Sequence, residues 1–128
     1  MARRDWDLAL KGTKKQIERQ ITRAGLDLTA NLVGETPVDT GWARANWIPN
    51  IGTPVTQPDG SRTRGAISTS GQESGKAKLL GFKLTQGNIY ITNNVPYITK
   101  LNAGSSKQAP SMYVEAQVTK TVNKMNQR

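Results

Sequence analysis

The side chains that could do acid–base or metal chemistry in this chain are few. The 128 residues include nine acidic side chains but neither histidine nor cysteine, which excludes disulfides, the usual zinc sites and histidine-based triads. Glu35 and Asp39 are close enough in sequence to suggest a carboxylate pair, yet Asp39 has a ready structural role as a helix N-cap. We therefore expect no enzymatic activity and no bound cofactor or metal.

Phosphate binding is the other chemistry that the sequence suggests. Residues 71–77 end in Gly-Lys like a phosphate loop, but the pattern requires a glycine where the chain has Ser70 and a hydroxyl where it has Ala77. The basic turn 60–65 could grip phosphates, although it has no interleaved aromatic residue on which bases could stack. Neither segment predicts a specific nucleotide site.

The net charge of +9 and a pI near 10.2 suggest a polyanionic neighbour, either nucleic acid or an acidic protein surface. The charge is spread along the chain, whereas a DNA reader usually concentrates it beside base-reading side chains. A solvated basic surface is the alternative. The loop residues that we expect to face a DNA channel or an acidic partner are Arg62, Arg64, Lys76 and Lys78.

The first third of the chain predicts a long amphipathic helix. Its apolar stripe is formed by Ile17, Ile21, Ala24, Leu28 and Leu32. We expect this helix to begin near residue 14, because Gly12 can break the chain and leave residues 1–12 as a separate N-terminal arm. Gly34 and Pro37 should end the helix, and Asp39 or Thr40 should cap a short second helix.

The rest of the chain predicts a small sheet and a final helix. Residues 47–51 suggest an edge strand, and residues 53–78, which lack apolar periodicity, suggest a long flexible loop. Alternation around residues 86–88 predicts a β-hairpin within 79–92. The last helix should begin at Pro110. Its buried stripe is predicted to be Val114, Val118, Val122 and Met125. The whole indicates a single α+β domain, residues 1–128, with two helices on one face of an antiparallel sheet.

Two runs of residues carry a resemblance to a known family. One is the TPVDTG box at 36–41, and the other is a PYxxxLxxG pattern at 96–104 that Ala109-Pro110 follows. In this order they resemble the small tail-completion proteins of long-tailed bacteriophages, which belong to the minor tail, neck or head–tail joining proteins. The motif positions are Thr36, Pro37, Asp39, Thr40, Gly41, Pro96, Tyr97, Gly104 and Pro110.

The resemblance implies a structural virion protein that forms a ring, hexameric on the tail side, and contacts neighbouring neck and tail proteins. It leaves open whether the ring is a tail terminator, a completion protein or a head-side stopper. Candidate contacts with another subunit or partner are Trp6, Trp42 and Tyr97. The alternative from the residues is a small basic module that binds nucleic acid without sequence preference.

The sequence also predicts where the protein is made. Two arginines near the start have no apolar run after them, so we expect no signal peptide, and no stretch approaches transmembrane length. We therefore expect a soluble chain that is made in the host cytoplasm and, if the resemblance holds, ends in the virion.

Overall fold

The structure is a computed structural model that describes residues 3–38, 41–63, 65–104 and 109–127. It contains the helices and strands α1 (Arg3–Glu35), α2 (Trp42–Ala45), β1 (Ile48–Ile51), α3 (Ser70–Leu80), β2 (Ile89–Thr92), α4 (Ile98–Asn102) and α5 (Tyr113–Asn126). A long first helix, further helices and a small antiparallel sheet confirm the predicted α+β class.

Helix α1 runs without a break through Gly12. The predicted start near residue 14 is therefore wrong, and residues 3–12 extend the helix instead of forming a separate arm. One glycine inside a helix costs only about 1 kcal/mol relative to alanine. The alanine, leucine and lysines on either side of it are good helix formers, and they outweigh that cost. The end of α1 at Glu35 confirms the stop signal of Gly34 and Pro37.

The sheet has two antiparallel strands, β1 and β2, with Ile48 opposite Thr92 and Ile51 opposite Ile89. The predicted hairpin within 79–92 is wrong, because only its second half is a strand and the partner of that strand is β1. Its first half turns instead into a short 3-10 helix, Leu84–Gln86. There the side-chain oxygen Oε1 of Gln86 accepts a hydrogen bond from the Lys83 amide at 2.8 Å.

Helix α3 begins inside the segment 53–78 that was predicted to be a long flexible loop, and it ends two residues beyond that segment. Of the described residues in that segment, only those within 53–69 lie outside a helix. Helix α3 packs directly on β1. The buried face of α3 consists of Gln72, Gly75 and Leu79. Just one of these three is a large apolar residue, so the helix has almost no apolar periodicity and sequence patterning missed it.

Helix α5 begins at Tyr113, and its N-cap residue is Met112 in the left-handed region at φ 63°. The prediction that Pro110 is the first residue of this helix is therefore wrong. The predicted stripe of α5 is only partly covered, since Val118 and Val122 remain 41% and 47% exposed. The buried positions of α5 are Tyr113 and Thr121. Helix α5 packs on α1 and leaves part of its apolar face open.

The core lies where α1, α3 and β1 meet, with the start of α5 closing one end. Its largest fully buried side chains include Tyr113, Leu32, Leu79 and Val95. Gly25 of α1 lets Leu79 approach closely, since a Cβ at this glycine would lie 3.2 Å from the Leu79 Cδ1. Among the described residues, no helix is long and apolar enough to span a membrane.

Candidate assembly interface

Thr36, the first residue of the motif box, joins three elements through one hydroxyl. Thr36 Oγ1 donates to the Leu32 carbonyl at 2.6 Å and accepts from the indole Nε1 of Trp47 at 2.7 Å. The Tyr113 hydroxyl lies 3.4 Å away. Burial raises the pKa of Tyr113 above its ordinary value of 10.0, so it remains a neutral phenol here. This part of the box holds the fold together.

The middle of the box is only partly described. Asp39 and Thr40, predicted as alternative caps, lie outside the described residues. The N-cap position of α2 is occupied by Gly41, whose φ of 84° favours glycine. Pro37 is buried, and the Arg44 guanidinium donates to the Thr36 carbonyl at 3.2 Å. The box therefore turns the chain between α1 and α2.

Asp59 connects the middle of the 53–69 loop to helices α2 and α3. Its backbone amide donates to Asn46 Oδ1 at 2.6 Å, and its carbonyl accepts from the Trp42 indole at 3.0 Å. Its carboxylate oxygen Oδ2 accepts from the Gly71 amide at 2.9 Å and from the Ser68 hydroxyl at 3.0 Å. The Gly71 hydrogen bond contributes most to holding the pKa of Asp59 below its ordinary value of 3.8.

We predict that Asp59→Asn lowers stability at neutral pH and removes a pH dependence. A carboxyl with a lowered pKa stabilises the folded state above pH 3.8 and loses that contribution as the pH falls through its folded-state pKa. The free energy of unfolding should therefore differ between the native chain and Asp59→Asn near neutrality, and the two should converge in acid. Urea titrations at several pH values measure this, and a difference that stayed constant into acid would contradict it.

Trp42 and Tyr97, both predicted as subunit or partner contacts, lie close to Arg62, which was predicted to face a DNA channel or an acidic partner. The Trp42 and Tyr97 rings lie 6.0 Å apart at 59°, and the Arg62 guanidinium lies 5.5 Å from the Tyr97 ring centroid. The Trp42 indole N–H is already bonded to the Asp59 carbonyl. Trp42 and Tyr97 are thus half-buried parts of the fold that also anchor the loop.

The remaining predicted basic residues do not form one surface. Lys76 lies 3.5 Å from the Glu73 carboxylate, and Lys78 donates to Asn50 Oδ1 at 3.2 Å. Two residues apart on α3, these lysines point to nearly opposite sides of the helix. Arg64 lies outside the described residues. The described part of the loop therefore brings together Arg62 and aromatic rings, and does not form a basic cluster.

The second motif run shapes the turn between α4 and α5. Gly104 has φ 94°, and a Cβ there would lie 3.1 Å from Ser111, which explains the glycine in the pattern. Pro96 is exposed just before α4. Sequence reasoning missed Asn102, whose Oδ1 accepts from the Val114 amide at 3.0 Å and whose amide donates to the Glu115 carboxylate at 2.9 Å. The one feature of the sequence that could have pointed to Asn102 is its position between Leu101 and Gly104 in the PYxxxLxxG pattern.

A row of exposed apolar side chains lies along the N-terminal half of α1. Every residue from 3 to 17 is exposed, including Trp6 at 59%, Leu10 at 53% and Ile17 at 40%. Because α1 is continuous, these three continue the stripe that Ile21, Ala24 and Leu28 form nearer the core. We call Trp6, Leu10 and Ile17 the α1 stripe. Trp6, which was predicted to lie in a separate N-terminal arm, is therefore the first member of this stripe.

An apolar groove lies at the other end of the same helix face. Its walls are α1 and α5, its floor is β2, and its volume is about 220 Å³. We call it the α1–α5 groove, and it is lined by Ile21, Ala24, Gly25, Leu28, Ile89, Ile91, Val118, Thr121, Val122 and Met125. The hydroxyl of Thr121 is buried in this region and finds no hydrogen-bond partner among the described residues.

In the described ranges, no group of three or more acidic side chains could hold a metal ion. Comparisons with family models, curated proteins and solved structures find no match to this chain. The α1 stripe and the α1–α5 groove are therefore the main features from which a function can be argued.

Proposed function

We propose that this protein is a structural subunit of a tailed-bacteriophage virion that forms part of a homo-oligomeric ring in the neck or at the top of the tail. The observation that carries the proposal is the row of exposed apolar side chains on α1 together with the open apolar groove between α1 and α5. Apolar surface that a single chain leaves uncovered often marks an interface. Its extent supports an assembly protein.

The motif residues support the same proposal through their structural roles. Thr36, Gly41 and Gly104 set turns and buried contacts instead of presenting reactive groups. An assembly protein needs that kind of motif, since its function depends on the shape that it presents to neighbours. The resemblance of the box and of the 96–110 run to tail-completion proteins supplies the class of assembly.

The alternative of a nucleic-acid-binding module is supported by the net charge of +9 alone. The described basic residues of the loop and of α3 are directed to different sides and contact the protein itself. A surface of that kind favours weak, salt-sensitive binding without base recognition. We therefore assign the excess charge to a DNA channel or to acidic neighbouring proteins within the particle.

The proposal predicts that each virion contains a fixed, ring-sized number of copies. A ring closes when each subunit contacts the next through two different surfaces. Quantitative mass spectrometry of intact particles against the portal protein measures the copy number, and native mass spectrometry of the purified protein measures ring closure. One or two copies for each particle, or none, would contradict the proposed function.

A further inference from the structure

We propose that a groove beside α1 binds an acidic segment of a neighbouring protein. The groove lies between α1 and the chain at 80–83, where α3 ends, and its volume is about 420 Å³. We call it the basic groove, after its four basic lining residues Lys15, Arg19, Arg23 and Lys83. The inference rests on the proposed function in one respect, because assembly in the virion is what would supply the neighbouring protein.

The first argument is a row of positive charges on α1. Lys11, Lys15, Arg19 and Arg23 follow one another at intervals of four residues, and all four are exposed. Residues four apart form a continuous ridge on a helix, so successive charges lie about 6 Å apart along the helix axis. Like charges at this spacing repel each other and destabilise a helix. The row therefore does not stabilise the isolated chain, and a negatively charged partner would relieve the repulsion.

The second argument is that the positive charges of the groove are available to a partner. Among the described residues, the side chains of the three basic lining residues from α1 form neither an ion pair nor a hydrogen bond. The carboxylates of the groove, in contrast, are already engaged. Glu18 accepts a hydrogen bond from the Leu84 amide at 2.7 Å, and the Lys124 ammonium lies 3.5 Å from Asp27. The groove therefore presents positive charge to whatever enters it.

The third argument is the apolar part of the groove, which favours a protein over nucleic acid. Leu80 is 72% exposed, and it lines the groove together with Leu26. Phosphates have no apolar group to cover these side chains, and the lining residue Phe82 is too deeply buried, at 5% exposed, to stack on a base. A protein segment can place carboxylates on Arg19 and Arg23, through paired hydrogen bonds, and an apolar side chain beside Leu80.

The composition of the chain indicates that the partner is a different protein. The chain has 18 basic and nine acidic residues. Its closest pair of acidic residues, Asp5 and Asp7, directly follows Arg3 and Arg4. A second copy would therefore bring basic residues to the groove along with its acidic ones. An acidic segment from another protein would not have that disadvantage.

The matched test compares Lys15→Gln with Lys14→Gln. Both lysines are exposed and both substitutions remove one positive charge, but only Lys15 lines the basic groove. The probe is a fluorescently labelled peptide of eight residues that alternate between glutamate and leucine, and fluorescence anisotropy follows its binding. Lys15→Gln should weaken binding about threefold, as expected for the loss of one ion pair, while Lys14→Gln should change it little. Equal effects of the two variants, or no saturable binding, would overturn the site.

A second comparison tests the apolar contact. Leu80→Ser should weaken binding of the glutamate–leucine peptide about fivefold, but should not change binding of a glutamate–serine peptide with the same charge. The control is Leu10→Ser, because Leu10 is 53% exposed and lies nine residues from Arg19, on the opposite side of α1. An effect of Leu10→Ser as large as that of Leu80→Ser would contradict an apolar contact in this groove.

Duplex DNA tests the nucleic-acid alternative on the same variants. The proposal predicts that a short duplex binds weakly and does not distinguish Lys15→Gln from Lys14→Gln. Tighter binding of the duplex than of either peptide, weakened by Lys15→Gln and unaffected by Leu80→Ser, would make the groove a phosphate-binding surface. That result would overturn the proposal.

Carbodiimide coupling in intact particles separates this inference from the proposed function. The reagent joins a lysine amine to a carboxylate that touches it, so Lys15 and Lys83 should be joined to acidic residues of another protein more often than Lys14. Equal coupling of the three lysines in particles with a ring-sized copy number would support the function and overturn this site. Selective peptide binding by a protein that is absent from particles would support the site and contradict the function.

Discussion

Gly75→Ala is expected to destabilise this protein by about 3 kcal/mol, near the upper end of the usual cost of overpacking. Gly75 lies on the buried face of α3, where that helix packs against β1. A Cβ added there would overlap the carbonyl oxygen of Pro49 and lie 2.8 Å from its ring Cδ. Because the obstacle is strand backbone and a rigid ring, α3 would have to move away from the sheet.

The matched control for this prediction is Gly12→Ala. Gly12 also lies in a helix, but a Cβ there would have nothing within 4 Å. Alanine should stabilise that position by up to about 1 kcal/mol, since glycine is the poorer helix former. Equilibrium urea unfolding with an unchanged m-value measures both free energies. Equal effects of the two substitutions would mean that α3 does not pack on β1 as described.

Thr36→Val is expected to cost about 1–3 kcal/mol, although valine has nearly the same shape as threonine. The substitution removes the acceptor of the buried Trp47 indole N–H, which lies 2.7 Å from Thr36 Oγ1. Thr36 is 1% exposed and Trp47 is 6% exposed, so water cannot easily replace the lost partner. The loss of a buried donor's partner should also change the tryptophan fluorescence of the folded state.

Thr13→Val provides the comparison for Thr36→Val. The Thr13 hydroxyl also donates to a carbonyl four residues earlier, that of Ala9 at 3.0 Å, but at an exposed site. Solvent can take over that hydrogen bond, so the effect should lie within about 0.5 kcal/mol. If Thr36→Val proved as mild as Thr13→Val, the box would not act through its buried hydrogen bonds.

Long periodic patterns in this sequence predicted their elements well. The stripe from Ile17 to Leu32 predicted α1, and Gly34 with Pro37 predicted its end at Glu35. Residues 89–92 were correctly predicted as a strand. These signals depend on neighbouring residues and local backbone preferences, which sequence alone contains.

Predictions were wrong where packing partners lay far apart in the chain. The alternation in 79–92 suggested a local hairpin, but β2 pairs with β1 across the intervening α3. Helix α3 was missed because its buried face depends on Gln72, which donates to the Trp47 carbonyl at 3.2 Å, and on a glycine fitted against Pro49. No local pattern encodes either contact.

The candidate interface divides in the same way between sequence and tertiary structure. The sequence determined the apolar spacing along α1, the excess of positive charge and the motif order on which the family resemblance rests. Only the tertiary structure left residues 3–17 of α1 exposed and the groove beside α5 open. Helical spacing shows which residues share a face, but only the folded chain determines which parts of that face find a partner within one copy.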